Sequence, residues 1–257
     1  MKITKSMLED LQACNDGLGW FEENFPEGGE YQTVLDKLGA ENNYPYAKWL
    51  MNRIPAENSI LEIDEIKIDG SLFFAGKVIV KKGISITGYL NAGQSIEAGN
   101  SIEAGQGIAA GWDIAAGNSI EAGNGIAAGQ SIAAGWDIAA GQGIAAGQGI
   151  AAGWDIAAGN SIEAGNGIAA GRGIAAGRGI AAGQGIAAGW DIAAGNSIEA
   201  GNGIAAGHGI KAGDDYGIFA GVKVKIGNWE IGAKVIAKSK PQNLISGFWV
   251  EPEGEEK

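Results

Sequence analysis

Residues 92–211 consist of consecutive six-residue units of the form A-G-x-[S/G/D]-I-[A/E/K]. They run without an insertion from Ala92-Gly93-Gln94-Ser95-Ile96-Glu97 to Ala206-Gly207-His208-Gly209-Ile210-Lys211. A fixed period this short is typical of a solenoid, because one unit cannot bury its apolar side alone and must stack on its neighbours. The stretch therefore predicts a stacked rod. The segments before and after it are predicted to form the two ends of this rod.

Each unit is expected to form one short strand and one corner. Ile114 and Ala116 lie on the same side of an extended chain, because side chains alternate faces with period two. The residue between them, Ala115, then points outward, and this position also tolerates Glu and Lys. The following Gly117 is predicted to serve the turn as a residue without a Cβ penalty. A helix is disfavoured by the recurring Gly, and collagen by the missing three-residue Gly period.

Three units would close a triangular coil of about eighteen residues. The pattern resembles the hexapeptide left-handed β-helices, whose motif places Gly, Ala, Glu or Asp after an aliphatic residue. The predicted fold is therefore mainly β: a single-stranded parallel β-helix with a small α-helical cap at the N-terminus. A flat coil of two units and twelve residues is the alternative, and the handedness is left open.

The chain divides into five predicted segments. They are an α-helical module at 1–56, opening coils at 57–91, the repeat solenoid at 92–211, closing strands at 212–250 and an acidic tail at 251–257. The helical module carries many aromatic residues, so we expect it to pack against the first coils. The closing strands are predicted to include Ile218, Ile226, Trp229, Ile231 and Val235. Their Lys residues and the acidic tail are expected to protect the open sheet edges from polymerisation.

The N-terminal module also carries a family resemblance. The stretch Cys14-Asn15-Asp16-Gly17-Leu18-Gly19-Trp20-Phe21 and the later Tyr46-Ala47-Lys48-Trp49-Leu50 resemble a short module of uncharacterised phage and prophage proteins that continue into Gly-rich repeats. The resemblance covers about the first fifth of the chain and implies a phage origin. It brings no catalytic residue with it.

Composition favours a cytoplasmic protein, in the host cell if the chain is phage-encoded. No run of eighteen apolar residues suggests a membrane span, and no apolar signal segment follows Met1. The single cysteine, Cys14, excludes an intramolecular disulfide and suits a reducing compartment. Cys14 is interpreted as a small buried helix residue. No motif for a metal or another cofactor is present.

With eighteen residues per coil, the x residues of every third unit stack into columns. One column reads Asn100, Asn118, Trp136, Trp154, Arg172, Trp190 and His208. We expect Arg172 to lie between Trp154 and Trp190, where a guanidinium stacks on indoles. The acids Glu103, Glu121, Asp137, Asp155 and Asp191 follow the same rows. The predicted partner-binding residues are these acids, the three Trp residues of this column and Arg172. In the alternative interpretation, the Trp side chain covers the corner and the Asp carboxylate accepts a hydrogen bond from a turn amide.

The net charge of −12 argues against direct nucleic-acid binding, because no basic stripe is available to neutralise phosphates. The charge permits a partial DNA mimic on a single face, and the resemblance to phage proteins implies a non-enzymatic inhibitor of anti-defence or anti-restriction type. Its expected partner is a host protein, such as a nucleic-acid-binding defence or replication enzyme.

The alternatives are a structural rod, an ice-binding variant of it, and an acyltransferase-like enzyme with His208 as general base. Self-association is expected, if at all, through the N-terminal module or the solenoid ends.

Overall fold

The computed structural model describes residues 1–252 and confirms a parallel β-solenoid with a small helical region at its N-terminus. Three parallel sheets of eleven, nine and ten strands enclose the core, which gives the rod a triangular section. Successive strands of a sheet pair with a shift of eighteen residues, as Ile102 does with Ile120. The prediction of three units per coil is therefore confirmed, and the flat coil of twelve residues is excluded.

The three sheets are named here in the order in which the chain enters them. Sheet I contains Ile60–Ile63, Lys77–Val80, Ile96–Ala98, Ile114–Ala116, Ile132–Ala134, Ile150–Ala152, Ile168–Ala170, Ile186–Ala188, Ile204–Ala206, Lys234–Ile236 and Phe248–Val250. Sheet II contains Ile66–Ile68, Ile84–Ile86, Ile102–Ala104, Ile120–Ala122, Ile138–Ala140, Ile156–Ala158, Ile174–Ala176, Ile192–Ala194 and Ile210–Lys211. Sheet III contains Leu72–Phe74, Leu90–Ala92, Ile108–Ala110, Ile126–Ala128, Ile144–Ala146, Ile162–Ala164, Ile180–Ala182, Ile198–Ala200, Ile218–Ala220 and Leu244–Ser246.

The core of the rod is a stack of Ile and Ala side chains. Every Ile of the repeat is at most 6% exposed, and most of the Ala residues two positions later are buried too. The residue between them points outward, as the alternation of a strand requires. This explains why Glu121 and Lys211 are accepted where other units carry Ala. Bulkier residues such as Phe74, Val78 and Ile84 fill the opening coils.

The Gly that follows each strand lies in the bend, as predicted, but close stacking of the coils rather than backbone conformation requires it. Within residues 92–211 no Gly has a positive φ, so none needs the left-handed conformation. A Cβ atom at Gly153 would instead lie 3.0 Å from the carbonyl carbon of Gly135 and closer still to its oxygen. Gly165 meets Gly147 in the same way. Successive coils approach so closely here that only a residue without a side chain fits.

The position before each Ile is more permissive. A Cβ atom at Gly149 would lie 3.6 Å from the carbonyl oxygen of Gly167, and one at Gly179 3.5 Å from that of Ser197. These are ordinary van der Waals distances, so a side chain is accommodated. This explains the alternation of Gly, Ser and Asp at this position of the repeat.

The N-terminal module contains four helices: α1 (Lys5–Asp10), α2 (Asn15–Asn24), α3 (Tyr31–Ala40) and α4 (Tyr44–Met51). A short antiparallel pair joins Lys2–Ile3 at its N-terminus to Gly29–Glu30, between α2 and α3. Thr4 and Asn43 cap α1 and α4 by accepting backbone N–H bonds. Cys14 is exposed at the N-cap of α2, where its Sγ accepts the Gly17 N–H at 3.4 Å, so the interpretation as a buried residue was wrong.

The module packs against the first coils, as its aromatic content predicted. Phe73, whose side chain points out of sheet III, is 1% exposed beneath α3. The Gln32 side chain continues the sheet's hydrogen bonding, because it donates to the Phe73 carbonyl at 2.9 Å and accepts from the Ala75 N–H at 2.8 Å. Tyr44 stacks on Tyr89 with the ring centroids 3.7 Å apart. The module therefore covers the outside of sheet III at the start of the rod.

The C-terminal segment is only partly strand. Ile218–Ala220 and Leu244–Ser246 extend sheet III, and Lys234–Ile236 and Phe248–Val250 extend sheet I. Between them, Ile226–Asn228 forms a 3-10 turn and Trp229–Gly232 a short helix, α5. Ile226, Trp229 and Ile231 were predicted to lie in strands and do not; Ile226 and Ile231 are 94% and 77% exposed. Residues 253–257 of the predicted acidic tail lie outside the described residues.

Candidate functional site

The predicted column of x residues runs along the corner between sheets I and II, named here the Trp edge. Each backbone N–H donates to the carbonyl of the residue one coil earlier, for example Trp154 to Trp136 and Arg172 to Trp154, both at 2.9 Å. These bonds hold the column at the spacing of the coils. The Trp edge comprises Asn100, Asn118, Trp136, Trp154, Arg172, Trp190 and His208.

Two indoles of the Trp edge form a stacked pair. The rings of Trp136 and Trp154 lie 5.5 Å apart between centroids with an interplanar angle of 10°. Their exposed fractions are 47% and 46%, and that of Trp190 is 53%. Half of each ring is therefore free to contact another molecule. Because the backbone beneath belongs to paired strands, the rings are held in place before any contact is made.

Arg172 lies against Trp190. Its guanidinium carbon is 5.3 Å from the Trp190 ring centroid, and its Nη1 is 3.9 Å from the Asp155 carboxylate. The described contacts do not place it over Trp154, so the expectation that it lies between two indoles is only half met. Trp190 in turn meets the His208 imidazole edge-on at 5.6 Å. The edge thus divides into an indole pair and an Arg-Trp-His group.

The three Asp residues of the Trp edge bond the backbone of the next coil. An Oδ1 atom of Asp137 accepts the Asp155 N–H at 3.0 Å, that of Asp155 accepts the Gly173 N–H at 2.7 Å, and that of Asp191 accepts the Gly209 N–H at 2.9 Å. Asp113 does the same on another edge. One oxygen of each carboxylate is therefore used to join coils, and the second oxygen of Asp155 faces Arg172 at 3.9 Å.

We expect Asp155→Ala to lower the free energy of unfolding by about 1 to 2 kcal/mol, because the Gly173 N–H then loses a charged acceptor. Asp155→Asn is the matched control, since its amide oxygen replaces the acceptor in the same place. Chemical denaturation of the two variants measures the difference. Equal stability of the Ala and Asn variants would show that this bond contributes nothing.

Glu103 and Glu121 are not beside the indoles. Both point out of sheet II and are exposed, on the coils of Asn100 and Asn118. The coils that carry Trp136 and Trp154 have Ala139 and Ala157 at this position. The Glu residues of the predicted face thus precede the indoles along the rod, and only Asp137, Asp155 and Asp191 lie beside them.

Three further surface features lie outside the predicted column. Trp112 is 48% exposed on the edge between sheets III and I, so exposed Trp is not confined to one edge. A groove of about 1250 Å³ runs along sheet II over Ala and Gly residues. An apolar cavity of about 310 Å³ lies in the helical module, lined by Trp20, Tyr46 and Trp49. Only Trp112 had a signal in the sequence, since it is the one x-position Trp that the eighteen-residue spacing leaves outside the column.

Two negative observations concern the described residues alone. No group of three His, Cys, Asp or Glu side chains within 1–252 lies close enough to hold a metal ion. None of the helices described is long and apolar enough to cross a membrane.

Comparison with known proteins gives one match. Residues 1–57 match the model of the YdhT N-terminal domain family. The match coincides with the helical module and stops where the solenoid begins. No curated protein and no solved structure matches the chain.

Proposed function

We propose that this protein is a non-enzymatic binding protein whose Trp edge recognises a macromolecular partner. The observation that supports this most directly is the stacked, half-exposed pair Trp136 and Trp154 on a rigid backbone. Trp is enriched at the residues that dominate protein interfaces, and little conformational entropy is lost where the rings are already ordered. Arg172 and Trp190 extend the same surface by another two coils.

The partner we propose is a host protein that itself binds nucleic acid, as an inhibitor of anti-defence type encoded by a phage would require. The net charge of −12 supports attraction to a basic surface and disfavours nucleic acid as the ligand. Imitation of a duplex is restricted to the Trp edge, where Asp137, Asp155 and Asp191 form the acidic row. Glu97, Glu103 and Glu163 point from three different sheets and join no such row.

The double variant Trp136→Ala/Trp154→Ala is expected to weaken binding to the host partner at least about 30-fold, as removal of a hot spot does. Partners are identified by quantitative mass spectrometry after capture from host lysate on the wild-type protein, and affinity is then measured on the purified partner. Trp112→Ala is the matched control, because its indole is equally exposed on another edge.

Retention of the partner by the double variant, or the same loss with Trp112→Ala, would refute recognition by the Trp edge. Far-ultraviolet circular dichroism of each variant establishes that the solenoid is intact. Capture on wild type but not on the double variant would support the proposal only if the purified partner reproduces the difference.

The second candidate is a structural rod or self-assembling scaffold. It is favoured by the uninterrupted register of the coils, which keeps three faces straight and largely uncharged. A rod of this kind needs no recognition site, so the Trp136→Ala/Trp154→Ala variant would keep its function.

A further inference from the structure

The outer face of sheet II is not covered by any other part of the described chain. The helical module packs on sheet III, and the C-terminal strands extend sheets I and III but not sheet II. Sheet II ends at Ile210–Lys211. The groove of about 1250 Å³ lies along this face, floored by small residues. The outward positions in successive coils are Ser85, Glu103, Glu121, Ala139, Ala157, Ala175, Ala193 and Lys211.

The charges of this face are separated by sign. Glu103 and Glu121 stand at its beginning and Lys211 at its end, with four Ala residues between the two signs. All three charged side chains are exposed, and none has an ion-pair partner among the described residues. Six coil spacings of about 4.8 Å place Glu103 and Lys211 about 29 Å apart. A Glu and a Lys of one chain therefore cannot neutralise each other.

We propose that a second copy of this chain packs against sheet II in the antiparallel direction, with the two-fold axis at Ala157. Glu103 then lies opposite Lys211 of the second copy, and Lys211 opposite its Glu103. Ala139 lies opposite Ala175 and Ala157 opposite its own copy, so small residues meet small residues in the middle of the contact. The arrangement pairs Glu103 with Lys211, while Glu121 lies opposite Ala193.

The same charges exclude the parallel arrangement. Two parallel rods would place each residue opposite its own copy, so that Glu103 faces Glu103, Glu121 faces Glu121 and Lys211 faces Lys211. Like charges directly opposite each other are destabilising. The distribution of charge on this face therefore selects both the partner and its direction.

The Trp edge fits the antiparallel arrangement as well. The two-fold axis lies in the contact plane and is perpendicular to the rod. The Trp edges of the two copies therefore lie on the same side of the dimer. Trp136 then lies at the same height along the rod as Arg172 of the second copy. Trp154 lies at the same height as Trp154 of the second copy. A cation opposite an indole is a favourable neighbour, worth about 0.5 to 2 kcal/mol.

The contact area is sufficient for a specific dimer. The face is about 29 Å long, and its width is that of one six-residue unit, about 18 Å. Full contact therefore buries about 520 Å² on each copy. The total of about 1,000 Å² reaches the lower bound for specific interfaces. Small side chains let the two sheets approach closely, so the dimer is expected to form at micromolar concentrations.

Sedimentation of the full chain tests the proposal, and a dimer of twice the 26.1 kDa chain is expected. Ala157→Glu places two like charges at the two-fold axis and should raise the dimer dissociation constant at least about 100-fold. Ala151→Glu is the matched control, because it puts the same charge at the same repeat position on sheet I. Both variants should fold, since Glu121 and Glu163 already occupy this position in other units.

Charge reversal tests the direction. Lys211→Glu alone should weaken the dimer, and the combination Glu103→Lys/Lys211→Glu should restore it. A carbodiimide should cross-link Glu103 to Lys211, and only between two chains, given the distance within one chain. The proposal would be overturned if the chain sedimented as a monomer at about 100 µM. It would also be overturned if a monomeric chain bound a different protein through this face. A dimer that Ala157→Glu leaves intact, or that yields no Glu103 to Lys211 cross-link, would overturn it as well.

Discussion

Gly153→Ala is expected to lower the free energy of unfolding by about 3 kcal/mol, although it adds only a single methyl group. The new Cβ would lie 3.0 Å from the Gly135 carbonyl carbon and overlap its oxygen. Both are backbone atoms of the preceding coil, so no side chain can move aside. The coils must separate, and the hydrogen bond from Gly153 N–H to the Ala134 carbonyl at 3.1 Å must stretch. Chemical denaturation and amide hydrogen exchange at 150–160 measure the loss.

Gly149→Ser is the control for this variant. Its Cβ would lie 3.6 Å from the Gly167 carbonyl oxygen, and Ser131 occupies the same position one coil earlier. We expect a change of less than about 0.5 kcal/mol, as for an ordinary surface substitution. If Gly153→Ala were as harmless as Gly149→Ser, close stacking would not be the reason for the repeated Gly.

Ile156→Ala should lower the free energy of unfolding by about 2 to 5 kcal/mol. Ile156 is 0% exposed and lies between Ile138 and Ile174 of the adjacent coils. Its neighbours are fixed by the hydrogen bonds between coils, so they cannot collapse into the cavity that the substitution leaves. Thermal and chemical denaturation measure the effect.

Ala157→Ser, one residue further along the chain, is the matched control and should change the free energy of unfolding by less than about 0.5 kcal/mol. Ala157 points outward and is exposed. A comparable loss at both positions would contradict the alternation of buried and exposed residues.

Much of the rod could be predicted because one short pattern decides three levels of structure. The spacing of Ile114 and Ala116 determines the strand and its buried face. The length of one coil then determines which residues are neighbours. Trp154 follows Trp136 by eighteen residues and therefore lies next to it in the adjacent coil. Repetition makes each of these inferences apply in every coil, since a residue contacts only its equivalents above and below.

What could not be predicted depends on distances that the pattern does not contain. The close stacking at Gly153 was missed because the sequence gives no measure of how closely two coils approach. Ile226 alternates with Val224, and Ile231 with Trp229, like strand residues, yet the chain forms a 3-10 turn and a short helix there. Cys14 was interpreted as buried, but it is the exposed N-cap of α2, and its thiol accepts the Gly17 N–H.

The eighteen-residue register limits how the length of this rod can change. Loss of a complete turn of three units would shorten it and leave every later residue on its original face. Loss of a single unit would keep each Ile in the core but rotate everything downstream by one third of a revolution. Trp190 and His208 would then leave the edge of Trp136, and the terminal strands would meet the wrong sheets. Genes for such rods should therefore vary in steps of 54 nucleotides rather than 18, given three nucleotides for each of the eighteen residues between paired positions.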